Sequence, residues 1–596
     1  MKSIYYTTFM ILTVLLSGCN SGEKKTTDST NNDNEKFAKL SEQFIEALWK
    51  LNPGWASSQG YHKYDSVLVV NDEGHRKEEI AFCERFSDSL KKIDQKSLSP
   101  NNQTDYFLIE NQLNSAKWYT TTFKSWEWNP SDYNISSQFD NILEGTYAPL
   151  DERMKNIGIK LLKVDAYYKA GMANIKNPTI VHTNLGIKQN KGAISVLESI
   201  EDSLTKCGLK SEEKDAIKKN IAAAKKSVNS YVDFLEKDVL PKLDEKTARS
   251  FRIGKDLFEA KFKYDIVSQY PAEEIYKRAL QRKGEIQHEM MKLTRQLWNE
   301  QMGKEAMPVD SLQAVRKMID KLSLKHVHRD SLLTAIKKQM PELTDFINKK
   351  NLIYLDPKKP LVVRETPVYQ QGVAGAGIDA PGPYDKEANT YYNVTPLTNY
   401  TAEKAESYLR EYNWYLMQIL NIHEAIPGHY TQLIYSNQSP SLVKSILGNG
   451  AMVEGWAVYS ERMMLEEGYG NNDPAMWLFY YKWHLRSVCN TILDYSIHTL
   501  NMSKEDALHL LIDEAFQQKA EAEEKYNRVS LTQVQLCSYF TGFTEIYDLR
   551  NEIRKKEGDK FNLKKFHEKF LSYGSAPVKY IRELMLKDET AGGEKK

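Results

Sequence analysis

This sequence has no basic surplus, no paired cysteines and no apolar run of membrane-spanning length, and each absence removes a class of function. Lys plus Arg number 81 against 80 for Asp plus Glu across 596 residues, so the positive balance or stripe of a nucleic-acid binder is missing. Cys83, Cys207, Cys489 and Cys537 lie far apart with no Cys-x-x-Cys pair. A cysteine zinc site is therefore not indicated, and these four read as buried apolar residues. No Gly-x-Ser-x-Gly element is present, which argues against a serine hydrolase. Gly372 to Gly377 (GVAGAG) is followed by neither Gly-Lys-[Ser/Thr] nor a helix-forming stretch, so it lacks what a phosphate loop needs. What is present is an ordinary globular balance, 41% hydrophobic and 27% charged, and disorder over most of the chain is excluded.

The amino terminus reads as a targeting segment. Lys2 precedes the apolar run Phe9 to Leu16 (FMILTVLL), which has signal-peptide length and is too short to cross a bilayer as a mature helix. It ends in Leu16-Ser17-Gly18-Cys19, which resembles a bacterial lipobox. In such lipoproteins the chain is cut before the Cys and its sulfur is lipidated, so Cys19 is the expected lipidation site. Asn20 to Glu35 contains no apolar residue and suits a flexible tether. The expected division is 1–18 signal peptide, 19–36 lipidated Cys and tether, 37–588 a helical domain, and 589–596 a disordered tail. The expected location is the bacterial cell envelope, with the lipid anchor on the periplasmic face of the outer membrane. No sequence feature specifies an oligomeric state.

Within the domain, 37–350 reads as a succession of amphipathic helices. Phe44, Leu48 and Leu51 share one face, and Ser211 opens a helix whose stripe is Ile217, Ile221, Ala224 and Val228. Pro271 opens another. Character changes after Leu352: Leu361 to Val363 and Tyr391 to Val394 are short β-prone runs separated by a stretch rich in glycine and proline. Helical pattern resumes at Thr401 and leads into the most informative segment, so 351–588 is the expected catalytic part.

Asn421 to Tyr430 reads NIHEAIPGHY. His423 and Glu424 form the His-Glu pair that zinc peptidases place on a helix, His as ligand and Glu as acceptor of a proton from the polarised water. His429 follows six residues later, which on an unbroken helix turns it about 240° away. Pro427 and Gly428 lie just before it, where a helix is hardest to keep, so a break could swing His429 back beside His423. Ala451 to Arg462 (AMVEGWAVYSER) is an apolar stretch interrupted by Glu454 and, two turns later, Glu461. A carboxylate in such a stretch is costly to bury without a cation or donors. Glu454, next to Gly455, is the expected third ligand, and Glu461, two turns on, the acceptor that orients a ligand His. Pairing of both carboxylates with Arg or Lys on other helices is the alternative.

The segments HEAIPGH, EGWAVYSE and LSYGSAPVKYIREL resemble a bacterial family catalogued as domain of unknown function 885, over about 37–588. The resemblance implies a mainly α, large helical zincin-like metallopeptidase fold with a small β-sheet near the active-site helix. It implies one zinc ion per chain, held by His423, His429 and Glu454, with Glu424 as base. Two elements depart from the family pattern: Ser496 stands for a Gly in Asp494 to His498, and Gln533-Val534 replaces a Pro-Gly before Gln535. These departures bear on local backbone shape.

An oxyanion donor is also needed, and Tyr539 and His498 are the candidates. Tyr391, Tyr392 and Asn393 are expected on an edge strand that pairs with a bound peptide, or else on an ordinary buried strand. The expected function is a zinc-dependent peptidase acting on peptides, with no nucleic-acid partner and the membrane met only through the lipid anchor. The alternatives are a zinc amidase or esterase on another substrate, and a non-catalytic peptide- or glycan-binding lipoprotein.

Overall fold

The apolar stripes seen in the sequence become the faces by which helices pack. In the computed structural model, which describes residues 26–593 apart from 245, 360, 368–374, 386–388 and 440, helix Ser211–Asp233 buries Ile217, Ile221, Ala224 and Val228. It lies along Ile180–Lys206, which buries Leu197, Ile200 and Leu204. The former helix begins at Ser211 as expected, with Lys210 N–H donating to Glu213 Oε2 at 3.1 Å. Helix Ala272–Met302 follows Pro271 and packs its apolar stripe along the more deeply buried Pro474–Thr499. The fold is mainly α with one small three-stranded sheet. None of the described helices is long and apolar enough to cross a membrane.

Two apolar cores result. The main core runs from Phe37 to Met585, joining Phe44, Phe258 and Met290 to Trp456 and Ile546. A satellite core comprises Leu68 and residues between Tyr133 and Leu235. The reason lies in the stripes: the helices of 136–233 face one another, whereas those before and after them face residues 351–588.

The ends also differ from expectation. Helix Thr26–Leu51 begins inside the supposed tether, because its polar residues find partners. Asp33 Oδ2 accepts from Ser97 Oγ at 2.8 Å, and Asn34 Oδ1 accepts from Ser99 N at 3.0 Å and Asn102 Nδ2 at 2.7 Å. Helix Val578–Gly593 runs through most of the supposed tail; Asp588 to Ala591 contains no glycine or proline to stop it. The signal peptide and Cys19 lie outside the described residues.

The sheet comprises β1 (Leu361–Glu365), β2 (Ala376–Asp379) and β3 (Thr390–Val394), in the order β1–β3–β2. β1 runs parallel to β3 with Val362 opposite Tyr391, and β2 runs antiparallel with Ile378 opposite Tyr392. β2 was expected as loop, since four residues in a glycine-rich stretch carry no strand pattern. Its presence overturns the edge-strand expectation. Tyr391, Tyr392 and Asn393 lie on the central strand, whose backbone pairs on both sides. Tyr392 is fully buried and its hydroxyl donates to Asn421 Oδ1 at 2.7 Å, fastening the sheet to the helix that carries His423. Arg364 lies 3.6 Å over the Tyr391 ring and donates to Asn393 Oδ1 at 2.7 Å. Among the described residues, β2 is paired on one side only.

Candidate metal centre

The helix carrying His423 is a separate element, not a continuation of the one begun at Thr401. Asn413 accepts from the Tyr415 and Leu416 amides and so starts helix Trp414–Glu424. The helix stops at the His-Glu pair. Ala425 leaves helical geometry with φ −110° and ψ −89°, Ile426–Pro427 is a cis peptide, and a new helix, His429–Asn437, begins at His429 itself. Gly428 makes the break possible by close approach: its N–H donates to Ile422 O at 3.0 Å, and a Cβ there would sit 1.8 Å from His423 O. Trp456 Nε1 donates to Pro427 O at 2.8 Å and clamps the break from the neighbouring helix.

That neighbour, Gly450–Glu466, is capped by Asn449, which accepts from Met452 N at 2.9 Å. It presents Glu454 to both histidines. His429 Nε2 lies 3.5 Å and His423 Nε2 3.8 Å from Glu454 Oε2, the ring centroids are 4.7 Å apart, and all three ligand-type atoms fall within 4.8 Å of one another. Glu454 Oε2 is buried and has no hydrogen-bond partner. A buried carboxylate oxygen without a donor, facing two imidazole nitrogens, fits a divalent cation held by two His and one Glu.

Glu461 lies behind His423. It is fully buried, its Oε1 lies 2.6 Å from His423 Nδ1, and the same oxygen accepts from Trp483 Nε1 at 3.0 Å. This fixes the His423 ring with Nε2 turned toward Glu454. Burial, reinforced by the nearby His429, depresses His423 to about 3. Burial pushes Glu424 up to about 7, against the pull of His429. Burial opposes ionisation of His429 and Glu454 as well, yet each moves the other way because they attract one another.

Tyr539 joins the site through backbone packing. Helix Ser538–Glu557 crosses Gly450–Glu466 at Gly542 and Gly455. A Cβ on Gly455 would lie 2.3 Å from the Gly542 carbonyl carbon, and one on Gly542 would lie 1.7 Å from Ala451 O. With only hydrogens between the backbones, Tyr539 is brought into the cavity that His423 and Glu424 line. Val534 takes φ +71°, a left-handed conformation rare for a branched residue, where the family pattern places glycine. Asp494 sustains it by accepting from Val534 N and Leu536 N, each at 3.0 Å. Ser496 lies within regular helix and accepts from Leu500 N and Met502 N through its carbonyl, so glycine is not required there.

His498 does not belong to the site. Its Nε2 donates to Val529 O and Thr532 O, both at 3.0 Å, and its ring lies among Phe251 and Phe258. It is a tie between helices in the core, and it was drawn toward the site only by a motif match. Conversely, Trp483, Arg486, Lys525 and Arg528 line the same cavity of about 530 Å³ as His423, Glu424 and Tyr539. Sequence reading passed over them because they lie on two later helices with no motif. The one available signal was charge inside half-apolar helices, Arg486 and Lys525 above all. The four cysteines expected to be buried are buried and free.

The family described as "Bacterial protein of unknown function (DUF885)" matches residues 53–585. A candidate lipoprotein of unknown function from Shewanella oneidensis is 53% identical, with 92% of this chain and 99% of that chain covered and a TM-score of 0.85. A candidate lipoprotein from Colwellia psychrerythraea shares the fold at 16% identity, with 94% and 100% covered and a TM-score of 0.77. A comparison with curated proteins finds no match.

Proposed function

Since this chain belongs to the bacterial DUF885 family, a membership that brings no activity with it, we propose from its site that it is a zinc-dependent peptidase tethered to the cell envelope through Cys19. The observation that carries the reading is the convergence of His423 Nε2, His429 Nε2 and the unpartnered Glu454 Oε2 beside a free Glu424. The lipid anchor rests on the lipobox and on the lipoprotein descriptions of the two similar structures.

His423, His429 and Glu454 would hold one zinc ion, which supplies Lewis acidity toward water and a carbonyl oxygen. Glu424 faces the same cavity and, with a proton affinity raised to about 7, takes the proton of the attacking water and passes it to the leaving amine. Tyr539 directs its hydroxyl into this space and donates to the oxygen on which negative charge develops. Glu461 keeps the His423 ring oriented throughout. β2, which among the described residues is paired on one side only and lines the cavity at Ala376, would offer backbone groups to an extended peptide.

The test is metal content and cleavage of a mixed peptide library by the chain lacking residues 1–19. About one zinc per chain, lost in His423→Ala and kept in an inactive Glu424→Gln, is expected. A folded protein that takes up no zinc would refute the reading.

A further inference from the structure

One wall of the cavity carries His423 and Glu424 of the candidate centre; another is built from helices Pro474–Thr499 and Lys519–Leu531 and carries Arg486, Lys525 and Arg528. Lys525 is the unusual member. It is only 6% exposed, and its Nζ donates to Asn490 Oδ1 at 2.7 Å. Among the described residues it makes no ion pair within 4 Å, unlike the buried Lys444 and Lys482, which meet Asp105 and Glu411. Lys160, also buried without a carboxylate, lies over the Phe139 ring in the satellite core. A buried ammonium held by one neutral amide keeps two N–H groups in need of acceptors.

Its neighbours do not supply them. Glu521, one turn earlier on the same helix, pairs with Arg486 and attracts Lys525 without coming within 4 Å of its ammonium, and Arg528 donates to Gln535 Oε1 at 2.7 Å. The wall sets three cations against the two carboxylates of Glu521 and Glu524. Burial, with Arg486 next, drives the Lys525 ammonium well below its ordinary range, as expected of a cation short of an anion.

We infer that Lys525, flanked by Arg486 and Arg528, is a carboxylate-binding subsite, so that the preferred substrates are peptides presenting a carboxylate on this wall of the cavity. That carboxylate is either the free C-terminus or an acidic side chain. The inference rests on the peptidase reading for its consequence but not for its binding chemistry. An entering carboxylate accepts from Lys525 in a desolvated setting where charge-assisted hydrogen bonds are strong, and it anchors the peptide alongside Glu424 and Tyr539.

The experiment uses the zinc-loaded chain lacking residues 1–19 with matched peptides: free acid or C-terminal amide, each with Glu or Gln within the sequence. The expected result is a KM for the preferred carboxylate peptide that rises about tenfold or more in Lys525→Met, with kcat changed by less than about threefold. The matched uncharged peptide is poor already and indifferent to the substitution. Arg528→Gln, at an exposed position, gives the same pattern more weakly and serves if Lys525→Met does not fold. Preference for the free acid identifies the C-terminus; preference for Glu over Gln identifies a side chain. Wild-type cleavage of all four peptides at equal KM, or equal losses for all in Lys525→Met, overturns the subsite while leaving the peptidase intact. Titrating the same peptides onto Glu424→Gln separates the other failure. Binding that depends on both the carboxylate and Lys525, with no cleavage by the wild type, would retain the subsite and remove the peptidase.

Discussion

Replacing Glu461 by Gln tests whether the centre is tuned from behind. The carboxylate is fully buried, 2.6 Å from His423 Nδ1 and 3.0 Å from Trp483 Nε1 through the same oxygen. Its Oε2 has no partner. Glutamine is isosteric and leaves Oε1 to accept from both donors, so the His423 orientation survives while the charge assistance is lost. A charge-assisted bond is about twice as strong as a neutral one, and removing such support behind a ligand His weakens metal binding by roughly 10–100-fold. We expect the zinc Kd to rise at least about tenfold. The same change places an amide NH2 where no acceptor stands, which costs the apo protein roughly 1–3 kcal/mol of stability. The two effects separate by assay: competition with a chromophoric chelator reads the first, and denaturant unfolding of the apo protein reads the second. A folded Glu461→Gln protein whose zinc affinity lies within twofold of wild type would refute the argument that His423 is held and polarised through Glu461.

Tyr539→Phe should lower kcat by about 100-fold or more while zinc content and KM change little, because the lost donor acts on charge present only in the transition state; an unchanged kcat would remove Tyr539 from the chemistry. Lys160→Met should stabilise the protein. Burial pushes this lysine down to about 8, a cost of roughly 3 kcal/mol at pH 7. Because the folded pKa is depressed, the cost is full below pH 8 and is relieved as pH rises from 8 to about 10.5, where the unfolded state binds more protons. Wild-type unfolding free energy should therefore gain on Lys160→Met at pH 10 relative to pH 7, and a pH-independent difference between them would contradict the assignment.

Much of the site was legible because its chemistry is local. His423, Glu424, Glu454 and Glu461 stand out as ionisable groups inside apolar helices, where burial is costly unless each has a task. The six-residue spacing with Pro427 and Gly428 announced a helix break, and a seven-residue step from Glu454 to Glu461 put them on one face. Mainly helical architecture followed from stripes such as Ile217 to Val228, which are periodic within a few turns. The helical start at Thr26 was not legible, because Asp33 and Asn34 gain their partners only from Ser97 to Asn102.

What the tertiary structure alone decided depends on contacts between distant segments. β3 is central because β2, a glycine-containing strand with no pattern of its own, pairs with it; strand order is a property of the sheet, not of any strand. His498 looked like Tyr539 in the sequence, and packing separated them. The Gly455–Gly542 crossing carries Tyr539 into the cavity that His423 and Glu424 line, while His498 meets the carbonyls of Val529 and Thr532. The cationic wall of Arg486, Lys525 and Arg528 exists only where two helices meet across the cavity. Local sequence therefore determined which residues could bind a metal and move a proton, since those are properties of single side chains and their immediate spacing. The fold decided which of them share a cavity and what faces them, since that is settled by helix packing over hundreds of residues.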